Sequence, residues 1–429
     1  MGTTIIQKVR FTRALQSPSF ALLWIGQVIS AMGDGTYNIA LAWQVLLLTR
    51  SATEMGIVLS VQFIPLLLFT LFGGVAADRL PRRSVMLWSD VGRAGIMFII
   101  AVLGWAHLLQ LWHLIVTAFL FGLVRGFFDP AYQSIRPQLV EKEALPSANA
   151  LTGLSRQMSR LVGPSIGAIC VSLAGPATAF AFNGVTFLAS AVFLFALKMP
   201  PRQEGAALKR EENSQHRRGL MRRGESILKD LGEGLQFVLS VKWLWATILV
   251  ASLINLGLMG PLTVILPKLV QQVYKGNVWV LGMLTTAGAI GTLLATFIIG
   301  HMGQLKHRGL LAYFSLALSS FALIWFGLPF PFYVRISSAI AAEFIIGFFI
   351  VIFNILWVTI MQELVPIEKL GRVSSIDSFG STLLLPVAYS LAGVFSDHFG
   401  EDSVFIIGGI LTLVLSLIGL SIREVRQLE

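Results

Sequence analysis

The side chains best able to do chemistry in this sequence are charges that interrupt long apolar segments. Four of them are arginines: Arg93, Arg125, Arg156 and Arg160. An arginine does not readily lose its proton, and a charge left uncompensated in an apolar medium is costly. Each of these side chains therefore needs an acidic partner, a polar cavity or a route to a water-facing surface.

Two acids stand at helical spacing from these arginines. Asp90 precedes Arg93 by three residues, so the two can pair on one face of a helix in a structural role. Asp129 follows Arg125 by one helical turn, but it lies nearer the end of its segment and could instead contact Arg82. The sequence leaves both partners open for Asp129.

The other charges within apolar segments have less obvious partners. Arg156 and Arg160 are four residues apart near the start of a segment, where long side chains can extend toward the membrane surface. Glu343 has no cation at helical spacing. It could bind a proton, contact a cationic substrate or lie near the outer interface beside Arg335, and the sequence does not decide among these roles.

These charges are carried by about twelve apolar segments, each long enough to span a bilayer as a helix of about 20 residues. The predicted spans are 19–48, 52–77, 84–105, 111–135, 147–173, 177–197, 242–268, 277–300, 309–328, 333–361, 374–396 and 402–421. With 55% hydrophobic and 13% charged residues, the composition is not that of a soluble domain. The sequence predicts an all-α membrane protein with twelve transmembrane helices.

The distribution of basic residues predicts the orientation in the membrane. Of the 32 lysines and arginines, 24 fall in alternate connections and in the two tails, and four fall in the other connections. Positive charge is retained on the cytoplasmic side, so both chain ends are expected to be cytoplasmic. The net charge of +10 then reflects loops that face anionic lipid, and no nucleic-acid partner is required.

Several kinds of site are not indicated. The single cysteine, Cys170, excludes an internal disulfide and a multi-cysteine metal site. The sequence has no glycine-rich loop ending in Gly-Lys-Ser/Thr, so ATP-driven pumping by this chain alone is not expected. It also has no zinc-protease or nucleophile-elbow pattern. We expect no metal, no cofactor and no enzymatic activity.

The segments divide into two groups of six. Residues 1–197 form the first predicted bundle, 242–429 form the second, and the basic stretch 198–241 joins them. Within this linker, 202–223 is expected to be disordered and 225–239 to form an amphipathic helix on the inner membrane surface. A plain connector helix is the alternative for 225–239.

The two groups repeat each other. At an offset of 225 residues, five positions of 135–145 coincide with 360–370. The same offset aligns Gly122 with Gly347 and Asp129 with Asn354. Parallel repeats of six helices place a substrate cavity near the membrane midplane, between the halves.

The loop after the second segment crowds an acid and three bases into a short turn. It resembles the signature Gly-x-x-x-Asp-Arg/Lys-x-Gly-Arg-Arg/Lys of the major facilitator superfamily, a resemblance that extends over essentially the whole chain. The matching residues are Gly74, Asp78, Arg79, Arg82 and Arg83. Pro81 replaces the usual glycine. Such a loop can latch helix ends across the two halves in one conformation and release them in another; for the bases, enforcement of topology is the alternative.

The fourth segment contains Arg125-Gly-Phe-Phe-Asp129-Pro, which resembles the superfamily motif associated with proton-coupled carriers. The first and fourth helices line the cavity of that fold, so the resemblance implies Asp34 as the partner of Arg125. Burial and a neighbouring positive charge act on a carboxyl in opposite directions, and their balance can let Asp34 gain and lose a proton during transport. A static ion pair, or a position near the surface, is the alternative for Asp34.

The fifth segment contains Gly163-Pro164-Ser-Ile-Gly167. This resembles the Gly-Pro core of a superfamily motif linked to exporters, although Ser159 and Ala168 stand where glycines are usual. Proline kinks a helix and glycines allow a neighbour to approach closely, which can control leak or switching. Ordinary packing of small residues is the alternative.

The resemblance also implies which side chains line the central cavity. They are Tyr37, Asn38, Gln62, Phe127, Asn255, Asn354 and Trp357. Aromatic and amide groups suit an amphipathic, lipophilic compound better than a phosphate or a sugar acid.

Residues 125–151 are most similar to the branch of the superfamily that contains macrolide, multidrug and enterobactin-type siderophore exporters. This implies a monomeric, proton-coupled antiporter that moves a lipophilic compound out of a bacterial cell across its cytoplasmic membrane. Its expected partners are this small substrate, protons and membrane lipids. A lysophospholipid-type lipid carrier, an uptake symporter and a non-transporting membrane sensor or scaffold stay open as alternatives.

Overall fold

The computed structural model describes residues 12–199, 232–274, 277–302 and 306–428. The helices of the first half are α1 (Pro18–Thr49), α2 (Ala52–Arg79), α3 (Arg82–Trp105) and α4 (Leu111–Leu139), followed by the stretch Leu145–Ala196. This stretch is interrupted at Ala174 and Gly175, so it forms two helices, α5 before the break and α6 after it.

The second half has the same succession of helices. They are α7 (Lys242–Val273, with π-helical turns beyond Gly260), α8 (Val278–His301), α9 (Arg308–Phe326), α10 (Phe332–Leu364), α11 (Ile367–Leu383 and Leu385–Phe399) and α12 (Glu401–Ser421). Residues 232–240 are also helical, and Glu233 lies 2.8 Å from Arg372 of α11 in an ion pair. The predicted linker helix overlaps this segment; its first part, 225–231, and the segment 202–223 lie outside the described residues.

Local sequence explains where several helices begin and end. The Ser17 side chain accepts a hydrogen bond from the α1 backbone and Pro18 occupies the first turn, so α1 begins with a capped terminus. Ser51 caps α2 in the same way. Gly175 has a φ of +81°, which L side chains rarely adopt, and Pro176 follows it. These two residues end α5 and start α6.

Ten helices in the described residues are long and apolar enough to cross a membrane. One of the ten contains both α5 and α6, and the 32-residue α1 is not among them. The prediction of an all-α membrane protein is confirmed, while the count of twelve spans stays a prediction.

The helices pack in pairs within each half. α1 lies along α5 and α6, α2 lies along α4, α8 lies along α10, and α9 contacts both α10 and α12. Contacts between the halves are made mainly by α2 on α11 and by the α5–α6 stretch on α8. This packing brings α1, α3, α4 and α5 around one polar space in the first half. The division into two bundles stays a prediction.

Candidate functional site

A cavity of about 380 Å³ lies in the first half of the molecule. Side chains of α1, α3, α4 and α5 line it. The charged members of its lining are Asp34, Arg93, Arg125, Asp129, Arg156 and Arg160. The predicted coupling residues Asp34 and Arg125 therefore share one space with the other three arginines that interrupt apolar segments.

Arg125 pairs with Asp129 in this structure. Its Nε lies 3.5 Å from the Asp129 Oδ2, one turn further along α4. Oδ1 of Asp34 is buried and has no hydrogen-bond partner among the described residues. The expected ion pair between Asp34 and Arg125 is therefore not formed in this conformation, because an acid one turn away on the same helix is within reach without any movement of α1.

The side chains of Arg156 and Arg160 line the cavity. Both are exposed residues. The expectation that they extend toward the inner membrane surface stays a prediction. Their one-turn spacing places both on the face of α5 that looks across to α4.

Asp90 and Arg93 form the predicted pair on α3. Their side chains are 0% and 3% exposed. The Arg93 guanidinium carbon also lies 4.2 Å from the ring centroid of Phe128 and 4.3 Å from that of Phe187. Aromatic faces attract a cation, so this buried arginine is compensated by one carboxylate and two rings. The predicted pairing is confirmed.

The signature loop spans the end of α2 and the start of α3. Its matching residues are Gly74, Asp78, Arg79, Arg82 and Arg83. The side chain of Asp78 lies outside the described residues. Arg82 donates to the Ser134 carbonyl at 2.6 Å, and Arg83 donates to the Leu194 carbonyl at 2.7 Å. These bonds tie α3 to α4 and α6 within the first half, so a latch to the second half stays a prediction.

The opposite end of the molecule carries an ion cluster between the halves that was not predicted. Asp397, near the end of α11, accepts hydrogen bonds from the Ser51 hydroxyl at 2.6 Å and from the next two backbone amides of α2 at 3.0 and 2.9 Å. Lys268 of α7 lies 2.7 Å from Asp397 and 2.8 Å from Glu401 of α12. We call these four residues the Asp397 cluster. The signal in the sequence was Lys268, a lysine in an otherwise apolar segment.

The seal between the halves continues inward from the Asp397 cluster along α2 and α11. A Cβ atom on Gly56 would collide with the α11 backbone, and one on Gly393 would collide with the α2 backbone. Glycine at these two places lets the helices touch. The Ser60 hydroxyl adds a hydrogen bond of 2.8 Å to the Pro386 carbonyl. The two halves are closed against each other at this end.

The exporter-like motif of α5 packs directly on α1. A Cβ atom on Gly163 would lie 2.8 Å from the Gly35 Cα, and one on Gly167 would lie 3.0 Å from the α1 backbone. Pro164 lies inside the helix between them. Ser165, on the next position, is 2.8 Å from a threonine hydroxyl of α8. The motif therefore lies at a close contact of α5 with α1, and α5 also reaches the second half.

The aromatic and amide residues expected around a substrate do not line the first-half cavity. Tyr37 is buried in the core. Asn255 donates to the Ser381 carbonyl at 2.8 Å, and Trp357 donates to the Asp377 carboxylate at 3.1 Å, so both fasten neighbouring helices to α11. Four further residues are absent from the lining: Asn38, Gln62, Phe127 and Asn354. Their place in a cavity between the halves stays a prediction.

Glu343 lies on α10, where its side chain packs on Gly288 of α8. Its Oε2 is buried without a hydrogen-bond partner among the described residues. Arg335 donates instead to the Phe330 carbonyl at 3.2 Å, and its guanidinium lies 6.0 Å from the Tyr274 ring centroid. Pairing of Glu343 with Arg335 is not formed, so this part of the structure contains an acid without a cationic partner.

The family model described as Major Facilitator Superfamily matches residues 23–388 and 281–427. Macrolide efflux protein A of Streptococcus pyogenes is 21% identical over 96% of this chain and 97% of its own length. The multidrug efflux pump Tap of Mycolicibacterium fortuitum is 26% identical over 97% of this chain and 98% of its own length. The enterobactin exporter EntS of Escherichia coli is 25% identical over 96% and 94%.

Solved structures show the same fold at lower identity. A bacterial homologue of the iron transporter ferroportin in its inward-facing state has a TM-score of 0.69 and 15% identity, covering 94% of this chain and 99% of that one. A POT family transporter in complex with 5-aminolevulinic acid has a TM-score of 0.68 and 14% identity, covering 94% of this chain and 96% of that one. Since the family model covers nearly the whole sequence and the helices share this fold, the chain belongs to the major facilitator superfamily of transporters.

Proposed function

We propose that this chain is a proton-coupled antiporter that exports amphipathic, lipophilic compounds across the cytoplasmic membrane of a bacterium. The observation that carries the proposal is Asp34, which lines a cavity together with Arg125 and Asp129 and has a buried oxygen with no hydrogen-bond partner among the described residues. Ionisable groups inside a membrane protein, facing an internal cavity, mark proton and substrate pathways. The similarity to macrolide, multidrug and enterobactin efflux proteins supports export as the direction.

The charge distribution supports an orientation for this exporter. The basic loops and both termini face the cytoplasm, which puts the Asp397 cluster at the outer face. The described conformation is then inward-facing, because its outer end is sealed. Export requires the Asp397 cluster to separate while the loop that contains Asp78, Arg79 and Arg82 closes the inner face, through rocking of one half against the other.

Arg125 couples protonation of Asp34 to the rocking of one half against the other. Asp129 holds it in the inward-facing conformation, which leaves Asp34 free to exchange a proton with the cytoplasm. Movement of Arg125 from Asp129 to Asp34 would stabilise the deprotonated Asp34 carboxylate. Two carboxylates that compete for one arginine thus couple protonation to conformation. Glu343 is a secondary proton site on the facing half.

Proton flux in proteoliposomes tests this function. Purified protein is reconstituted around an internal pH-sensitive dye and exposed to cationic dyes, macrolides, tetracyclines and siderophores. We expect one class to drive proton movement in the parent and none in Asp34→Asn, which keeps the side-chain volume and removes the proton site. Glu424→Gln is the matched control, because it removes an acid that pairs with Lys242 outside the cavity. Equal flux in Asp34→Asn would reject Asp34 as the coupling residue.

Two alternatives are each favoured by one observation. An apolar groove of about 550 Å³ among α2, α3 and α4, lined by Leu80, Val85, Trp88 and Phe127, has room for an acyl chain and favours a lipid carrier. The arginines beside Asp34 favour an uptake symporter, since a proton on Asp34 and an anion in the cavity would stabilise each other. The direction of the pH change separates symport from antiport. Absence of flux with every soluble compound, in folded protein, would favour the lipid carrier.

A further inference from the structure

Arg156 and Arg160 are two cations without a counter-charge in the part of the chain that the structure describes. Each lines the first-half cavity and is exposed to it. Within residues 12–199 and the other described ranges, neither makes an ion pair or a hydrogen bond to a protein group. They differ in this from the other two arginines of the cavity.

The acids that line the cavity cannot neutralise both Arg156 and Arg160. Arg93 is held by Asp90, which does not line the cavity, and Arg125 is held by Asp129. Asp34 is then the remaining acid in the lining, whereas two guanidinium groups remain. The lining of the cavity therefore has an excess of positive charge.

The geometry suits a single anionic group. Residues four apart on a helix lie on the same face with about 5–6 Å between their Cβ atoms, so two long side chains can converge on one anion. Guanidinium groups bind carboxylate, sulfonate and phosphate oxygens through paired, charge-assisted hydrogen bonds. The lining beside them adds hydroxyl groups of Thr152 and Ser155 and the aromatic rings of Phe128 and Tyr132.

We infer that this cavity binds the anionic head group of an amphipathic substrate, with Arg156 and Arg160 as its ligands. The inference rests on the proposed transport function. Its volume of about 380 Å³ lies within the range of small-molecule sites. An inside-negative membrane potential would also favour outward movement of such an anion.

Equilibrium binding of two fluorescent probes tests the site. Dansylate, a sulfonate, and dansyl amide, its neutral counterpart, have the same ring system and differ in one negative charge. Each is titrated into protein held in phosphatidylcholine nanodiscs. Arg156→Gln/Arg160→Gln should weaken dansylate binding by about tenfold or more, because two charge-assisted contacts are lost. Binding of dansyl amide should stay within about twofold of the parent.

A matched control removes the same charge elsewhere. Arg423→Gln/Arg426→Gln lowers the net charge equally at the short helix Arg423–Arg426, away from the cavity. It should bind dansylate as the parent does. Arg156→Lys/Arg160→Lys keeps both charges without the planar fork and should bind with intermediate affinity, which tests the site even if the glutamine variant does not fold.

The outcomes separate this inference from the proposed function. Equal affinity of the parent for both probes, or equal dansylate affinity in the parent and the folded glutamine variant, would overturn the anion site. Binding of dansylate through the arginines without any proton flux would retain the site and reject the transport proposal.

Repeating the titration with phosphatidylglycerol in the nanodiscs identifies the source of the anion: competition indicates a lipid head group, and unchanged binding indicates a soluble amphipathic anion.

Discussion

The two halves of this transporter share their packing but not their charges. Gly122 of α4 and Gly347 of α10 align in the sequence repeat, and each lies so close to a neighbour that an added Cβ atom would collide with the backbone of α2 or of α8. Three residues further on, the first half has Arg125 and the second half has Ile350. The repeat therefore preserves the contact between two helices and loses the guanidinium.

The difference separates two kinds of constraint. A close helix pair needs a small residue in every copy of the repeat, because the backbones approach to the same distance in both. The proposed proton coupling, in contrast, needs only one set of ionisable groups in the molecule. The first half therefore combines six charged side chains around one cavity, whereas α10 of the second half presents Glu343 without a cationic partner among the described residues.

Removing Arg93 should have the largest effect on the first half. Arg93→Met leaves the Asp90 carboxylate buried without its counter-charge, which we expect to destabilise the protein by about 3–5 kcal/mol. Thermal unfolding in detergent measures the loss. The double variant Asp90→Asn/Arg93→Gln should lose much less, because no buried charge is left behind. An Arg93→Met protein as stable as the parent would show that this pair does not stabilise the first half.

Removing Lys268 should weaken the junction between the halves. Lys268→Met leaves Asp397 and Glu401 near each other without a cation. Because its charged hydrogen bonds are lost, the sealed conformation should be destabilised relative to the open one by about 1.5–3 kcal/mol. Maleimide labelling of Ser60→Cys, in a Cys170→Ala background, reports exposure of the seal and should become faster.

Lys242→Met provides the control for this experiment, since it breaks an ion pair of 3.1 Å with Glu424 outside the seal. It should leave the labelling rate unchanged. If both variants label at the parental rate, the Asp397 cluster does not hold the two halves closed at its end of the molecule.

Adding one methyl group should affect the two halves alike. Gly122→Ala and Gly347→Ala each place a Cβ atom against a neighbouring backbone, and each should destabilise the protein by about 1–3 kcal/mol. Gly153→Ala, where nothing lies within 4 Å, should be neutral or slightly stabilising in its helix. Unfolding midpoints compare all three. A large loss in one half alone would contradict the shared packing constraint.

The sequence predicted what depends on local spacing and missed what depends on how helices meet. The third span was predicted at 84–105 and is observed at Arg82–Trp105, and Asp90 pairs with Arg93 as their three-residue separation indicates. The contact of Lys268 with Asp397 joins residues 129 positions apart. Residue spacing within one helix cannot predict that contact, because the contact depends on the angle between helices and on which end of the transporter is closed.

The smallest expected effect distinguishes the acids of the two halves. Glu343→Gln removes a buried carboxyl that pairs with no arginine in the described ranges, so we expect it to reduce substrate-driven proton flux by about threefold, or less than 1 kcal/mol. Asp34→Asn should abolish the same flux, because Arg125 and Asp129 then have no proton site to couple. Both variants are compared at equal reconstituted protein. If Glu343→Gln abolishes flux as completely as Asp34→Asn, Glu343 is as essential to proton coupling as Asp34, and proton chemistry would not be concentrated in the first half.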